Sequence, residues 1–403
     1  MNQRDMRPPF AALGGTIPPE LEKLPTPCYL LDEAALTRNA EILGGLAQRT
    51  GCKVLLAQKA FSNYDCYPLL APHLAGTEAS GLFEARLGAE EMPGKEVHVF
   101  CAAYRADEMD ELVQYADHIV FNSPAQLAKF GPAAKAAGKS VGLRINPECS
   151  TQDGHAIYDP CAPGSRLGTT RAQWNAAVAA NPALPNLLDG LHFHTLCEQD
   201  SDALATTLDA VAQKFGDLLP RMQWLNFGGG HHITRPGYDI ATLERCITRA
   251  QQDWGVTVYL EPGEACALNA GFLLSRVLDV VQNGDTTIAI LDASAACHMP
   301  DVLEMPYRPP LFAAAEPGEK PCTVRLAGPT CLAGDVIGDY GVDAVPNVGD
   351  LLVFGDMAIY TTCKNNTFNG MPLPAIFARA ASGTTRSIVS FGYEDFKYRL
   401  GKR

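Results

Sequence analysis

The chain has 403 residues, 47% of them apolar and 19% charged, with a formal net charge of −13. This length and apolar content exclude a disordered polymer, no run of about 18 apolar residues is present to span a membrane, and the negative balance argues against nucleic acid and anionic membranes as partners. Thirteen cysteines lack metal-type spacing, and the first residues lack the long apolar core of a secretory signal, so reduced thiols and a cytoplasmic location are expected.

Residues 1–26 read as a loose, Pro/Gly-rich leader. PCYLLD (27–32) is strand-like and is expected to pair with a later domain. Eight short strand-like runs follow: KVLLAQ (53–58), GTEAS (76–80), VHVFC (97–101), HIVFN (118–122), VGLRIN (141–146), DGLHFH (189–194), QWLNF (223–227) and VTVYLE (256–261). Segments with helical spacing separate most of them, for example 106–116, 123–138, 202–219 and 239–254. Strands alternating with helices imply βαβ units and a parallel sheet. Eight units are the repeat number of a (β/α)8 TIM barrel, expected over 33–270. A doubly wound open sheet is the alternative, but no G-x-G-x-x-G follows the first strand. Beyond residue 270 the runs SRVLDVVQ, TTIAILDAS, CTVRLAG, DLLVFGD and RSIVSFG are strand-like with little helical spacing. They predict a C-terminal, mainly β domain, sandwich-like or barrel-like, made of 27–32 and 271–403.

In a TIM barrel the chemistry sits at the C-terminal ends of the strands. Those ends carry Lys59, then Arg144 and Asn146, then His192 and His194, then Gly228-Gly229-Gly230, then Glu261 followed by Pro262-Gly263-Glu264. Each alone is ordinary: a solvated lysine, a rim histidine, a glycine loop, an acid ending a strand. His231-His232 is not read as a metal site, because adjacent residues of an extended chain point apart and no third ligand is evident. Together the residues match the needs of pyridoxal phosphate. A glycine turn offers N–H groups to a phosphate, a lysine forms a Schiff base, a histidine stacks on a flat ring, and a carboxylate keeps a pyridine nitrogen protonated.

The chain resembles the alanine-racemase-like, fold-type III pyridoxal-phosphate decarboxylases. The resemblance rests on QKA with Lys59, SRLG (165–168), GLHFH (190–194), FGGG (227–230), EPG (261–263), GPTC (328–331) with Asp335, and YTTCKNNTFNG (360–370). It implies that Lys59 carries the cofactor, His194 stacks on its ring, Gly228–Gly230 hold its phosphate and Glu261 meets its ring nitrogen. It also implies that Tyr360 lies near the phosphate or substrate. Cys331 and Asp335 would be donated across a head-to-tail homodimer with shared sites, and Cys331 would protonate Cα.

Within that family the ornithine and diaminopimelate enzymes commonly continue EPG with arginine, where this chain has Glu264. That feature and DASAACHMPDVLEMPYRP (292–309) resemble the carboxynorspermidine/carboxyspermidine decarboxylases, and imply a cationic amino acid with a polyamine tail. A buried cation needs acidic partners; Glu264 and Asp301 are the favoured candidates, with Asp292, Glu304 and Asp335 also considered. A diaminopimelate-type substrate would instead need an arginine, for which Arg308 and Arg166 are available. An ornithine-type decarboxylase, a racemase and a catalytically inactive regulatory homologue stay open as well.

Overall fold

The computed structural model describes residues 10, 13, 16–152 and 159–402. Two compact units are present. One comprises Arg38–Lys59 and Cys66–Cys266, and the remaining described residues form the other. Strand β1 (Cys28–Asp32) belongs to the second unit; the first contains β2 (Lys53–Ala57), β3 (Gly76–Ala79), β4 (Glu96–Phe100), β5 (His118–Phe121), β6 (Ser140–Arg144), β7 (Gly190–His192), β8 (Trp224–Asn226) and β9 (Thr257–Leu260).

Strands β2 to β9 pair in parallel in chain order, and β9 returns to β2, closing an eight-stranded barrel. Both faces of each strand are covered, which is why the strands read as nearly continuous apolar runs. Helix starts are set by local chemistry. The Ser123 side chain accepts from Gln126 N and Pro124 opens its helix, Thr170 and Gln173 form a reciprocal capping box, and Asp239 caps the helix Ile240–Trp254. The barrel interior is filled by Trp224, whose indole lies against Gly142 and Gly190. A Cβ at Gly190 would come within 2.0 Å of that ring.

The N-terminal mouth of the barrel holds a polar cluster. Glu96 accepts from Lys53, lies 3.1 Å from His98 Nε2 and accepts from the Tyr259 hydroxyl at 3.0 Å. The His98 and His118 rings stack at 3.9 Å, 11° from parallel. A metal ion lies in the plane of each imidazole that binds it, and two near-parallel stacked rings do not share such a point, so the cluster is structural. Burial, then the neighbouring His98, pushes His118 down to about 3, with Glu96 opposing. Burial pushes Glu96 up, but hydrogen bonds from His98 and Lys53 outweigh it and hold Glu96 at about 2. Between pH 6.5 and 3 the unfolded chain therefore binds a proton at His118 that the folded barrel refuses. Below about pH 4.5 the same holds at Glu96. Both signs agree: stability falls on acidification. Denaturant midpoints measured at pH 7, 5 and 4 are expected to fall steadily, and to fall less in His118→Gln.

The second unit is a mixed sheet. Besides β1 it contains β10 (Gly271–Asn283), β11 (Thr286–Leu291), β12 (Cys322–Ala327), β13 (Val336–Val342), β14 (Leu351–Gly355), β15 (Ala375–Arg379) and β16 (Thr385–Val389). The order is β13-β12-β11-β10-β1-β15-β16, with β14 also on β10. The 13-residue β10 is the seam. Its first half pairs with β1 and β14, and after a register shift between Val277 and Asp279 its second half pairs with β11. Leu30, Phe272, Leu274 and Val353 form the core of this sheet. Of the expected leader, residues 1–9, 11, 12, 14 and 15 lie outside the described residues. The rest corrects the expectation of looseness, since Leu13 and Leu21 are buried in the same core, with Phe10, Ile17 and Leu24 packed against it. Apolar side chains spaced among prolines seal the sheet here without needing regular structure.

Candidate active site

The parallel strands bring one set of side chains to the C-terminal rim. Lys59 lies two residues beyond β2, with its Nζ 3.9 Å from Glu78 Oε2. Glu78 lies near the end of β3 on the same rim, and no motif in the sequence singles it out. It is fully buried, and its Oε2 has no hydrogen-bond partner among the described residues. Burial pushes the Glu78 carboxyl well above its ordinary 4.5; Lys59 pulls the other way, and Glu261 adds to the rise. The rim thus holds an amine beside a carboxyl able to keep or release a proton.

Glu261 follows β9 and is gripped from two sides. Asn226 Nδ2 donates to Oε1 at 2.6 Å, and His192 Nε2 lies 3.0 Å from Oε2. Burial favours a neutral Glu261, but the charge and hydrogen bond of His192, with Lys59 nearby, outweigh it and hold the carboxyl below the usual range. Burial pushes His192 below 6.5. The Glu261 carboxylate therefore accepts from His192 Nε2, and both groups are buried.

The glycine triplet is demanded by crowding. Gly230 adopts φ +82, and a Cβ there would lie 2.0 Å from Leu196 O. A Cβ on Gly229 would lie 2.5 Å from Glu261 O and 3.2 Å from His194 Cε1. Gly229 N donates to His194 Nδ1 at 2.9 Å, which places the imidazole proton on Nε2 and fixes the ring plane. Burial, then Lys59 and Arg144, pushes His194 well below 6.5, so it is neutral. Gly228 N donates to Asn226 Oδ1 at 2.8 Å, so Asn226 links the glycine loop to Glu261. Arg144 donates to His194 O and lies 4.6 Å from the Phe100 ring centroid; burial lowers it to about 10, and it remains a cation at neutral pH. Glu264 Oε1 lies 3.5 Å from His232 Nε2, and the His231 ring lies 3.4 Å from Phe227 O.

In the sheet unit, Cys331 is exposed, and its N–H donates to Asn369 Oδ1. Tyr360 has φ +59 and donates its N–H to Ala60 O at 2.8 Å. Asp301 and Glu304 both accept from Lys364. Asp292 and Asp335 are engaged by donors of their own unit. Asp292 accepts from Thr26, Ser275 and Arg276 N. Asp335 is 3% exposed and accepts from Ser294, Ala295 N and Thr330, which fixes the turn that carries Cys331. Both oxygens of each carboxylate are taken by the chain's own donors. Arg308 is similarly engaged: it donates to Asp339 O, pairs with Glu316 and lies over the Tyr340 ring.

Residues 28–358 match the family described as "Pyridoxal-dependent decarboxylase, C-terminal sheet domain". The chain belongs to the pyridoxal-dependent decarboxylases. This decarboxylase is 44% identical over 384 residues to carboxyaminopropylagmatine decarboxylase of Synechocystis, covering 95% of this chain and 97% of that one. It is 40% identical to carboxynorspermidine/carboxyspermidine decarboxylase of Campylobacter jejuni, covering 94% of this chain and 99% of that one. The crystal structure of a Campylobacter jejuni carboxynorspermidine decarboxylase complexed with norspermidine superposes with a TM-score of 0.85 at 38% identity, covering 93% of this chain and all of that one. A diaminopimelate decarboxylase structure, 20% identical, shares the fold with a TM-score of 0.81. The cofactor of the decarboxylase is pyridoxal phosphate. The rim residues fit it: a lysine beside a buried carboxylate oxygen that has no hydrogen-bond partner among the described residues, a glycine cradle that any Cβ would fill, a planar ring held flat, and an ionised carboxylate.

Proposed function

We propose that this decarboxylase removes the α-carboxylate from an amino acid with a polyamine tail, carboxynorspermidine or carboxyspermidine, to give norspermidine or spermidine in polyamine biosynthesis. The observation that carries the reading is near full-length similarity, at 40–44% identity, to enzymes named for carboxylated polyamine substrates. The engagement of Arg308 within its own sheet supports it, since that removes one candidate partner for a distal carboxylate. The 44% identical relative makes a guanidine-tailed carboxyaminopropylagmatine the second reading.

When bound, pyridoxal phosphate supplies the electron sink for the bond pair left by carbon dioxide. Lys59 holds the cofactor through its amine, and Glu78 takes the proton that the amine must lose to act as a nucleophile. The Gly228–Gly230 loop, whose lack of Cβ atoms leaves room for it, is assigned to the phosphate, and Tyr360 is assigned beside it. The His194 ring, locked by Gly229, forms a flat wall. Glu261 stays ionised and holds a proton on the ring nitrogen. Glu264 and Asp301 bind the ammonium groups of the tail; Glu304 shares the Asp301 cluster. Cys331 of the partner subunit delivers a proton to the substrate Cα, so the working unit is a homodimer with shared sites. All thirteen cysteines are free thiols, which supports a cytoplasmic location. No described helix is long and apolar enough to cross a membrane.

The test is carbon dioxide release from purified protein with five substrates: carboxynorspermidine, carboxyspermidine, carboxyaminopropylagmatine, meso-diaminopimelate and ornithine. One of the first two is expected to exceed the last two in kcat/KM by at least on the order of 10²-fold, the margin available when a site's buried charges are left unpaired by the wrong substrate. Preference for meso-diaminopimelate or ornithine sinks the proposal. Preference for the guanidine-tailed compound replaces it with the second reading.

A further inference from the structure

The segment 295–304 follows β11 and forms two short helical turns, Ala295–His298 and Asp301–Glu304. Its two ends are secured differently. At the 296–298 end, Asn366 donates its N–H to Cys297 O and its amide to Ala296 O, and the His298 ring lies 3.1 Å from Pro372 O. The Tyr29 hydroxyl also donates to His298 O. At the 301–304 end, the bonds within the segment are backbone turns, and Lys364 grips both Asp301 and Glu304. Among the described residues no other side chain pairs with either acid.

Lys364 is also tied to Tyr360. The two lie one helical turn apart, and Lys364 N donates to Tyr360 O at 2.9 Å. Tyr360 is itself pinned to Ala60 O in an uncommon backbone conformation at φ +59. A continuous chain of contacts therefore runs from Tyr360 through one turn to the Lys364 ammonium and on to Asp301. The seat of that ammonium has the chemistry of a primary-amine site, with two carboxylates converging on one cation.

We propose that Lys364 is the residue that sets tail length: it fixes Asp301 at a set distance from Tyr360, and thereby selects between carboxylated polyamines that differ by one methylene. This rests on the proposed function, with Tyr360 beside the cofactor and Asp301 on the tail. Lys364 does not touch the reacting atoms; it is a positioning residue. The asymmetry of the ends gives the expected behaviour. Without Lys364 the acidic end loosens while the 296–298 end stays anchored, so selectivity suffers rather than folding. A lysine ammonium also keeps the two neighbouring acids from repelling each other.

The experiment compares wild type, Lys364→Met and Lys364→Arg with carboxynorspermidine and carboxyspermidine. One methylene can be worth about 10–200-fold in kcat/KM. The wild-type ratio is expected to fall toward unity by at least threefold in Lys364→Met, through a raised KM for the preferred substrate with kcat held within twofold. Lys364→Arg, which keeps a cation on both acids, is expected to restore part of the ratio. Cofactor absorbance and the melting profile report whether the fold persists. A ratio that changes less than threefold in Lys364→Met overturns the proposal, as does a loss of kcat at unchanged KM, or a wild-type enzyme that treats the two substrates alike. A wild-type enzyme that turns over neither refutes the proposed function instead.

Discussion

Lys59→Ala is expected to lose turnover by on the order of 10³-fold or more, the scale seen when one member of a catalytic unit is removed. The absorbance of the lysine-bound cofactor is expected to vanish with it. Folding is expected to survive. Lys59 is partly exposed, and the ion pair it makes is a loose one with Glu78 at 3.9 Å. The buried Glu78 left behind carries no stranded charge. Burial already pushes its carboxyl upward, and removing Lys59 takes away the main influence that opposes that rise. Lys59→Arg separates charge from chemistry. A guanidinium keeps the cation beside Glu78 but forms no Schiff base, so the same loss is expected. Absorbance and single-turnover rates on purified variants check both, and activity in either variant within tenfold of wild type sinks the role assigned to Lys59.

The barrel was legible because its strands are buried on both faces and its helices carry their own caps. The rim could then be read by one rule: look just past each strand. That rule reached Lys59, His194, the glycines and Glu261. Applied evenly it would also have reached Glu78, which lies near the end of β3 just as Glu261 follows β9. GTEAS passed as a plain strand because a glutamate there carries no visible sign of burial. The sheet unit was less legible. β13 contains two glycines and an aspartate, so it does not stand out as a strand. Its acids were harder still. Asp292, Asp335, Asp301 and Glu304 look alike in sequence, and only the positions of Thr26, Ser275, Ser294, Thr330 and Lys364, as many as 266 residues away, decide which acids belong to the scaffold. Side-chain partners that distant leave no local pattern. The roles given to Cys331 and Tyr360 rest on resemblance, since neither spacing nor composition singles them out.

Glu261→Gln is expected to cut turnover by about 10²–10³-fold while the cofactor stays attached through Lys59, the size of loss typical when one preorganised electrostatic group is removed from a buried site. Two effects combine. The negative charge proposed to keep a proton on the ring nitrogen is gone. The new amide also misfits its grip, because Asn226 Nδ2 and His192 Nε2 both approach the native carboxylate as donors, at 2.6 and 3.0 Å. A glutamine offers one acceptor and one donor, so His192 either faces it donor against donor or moves its proton to Nδ1, which is buried with no hydrogen-bond partner among the described residues. A buried group left unmatched in this way costs about 1–3 kcal/mol, so a lower melting temperature is expected alongside the lost rate. Asn226→Ala separates the two effects: it removes the hydrogen bond to Oε1 and the support of Gly228 N but leaves the charge in place. Its loss of turnover is expected to be smaller than that of Glu261→Gln, although its loss of stability is comparable. If the two variants instead lose rate equally, the charge of Glu261 is not what matters, and its carboxylate serves only to hold the loop.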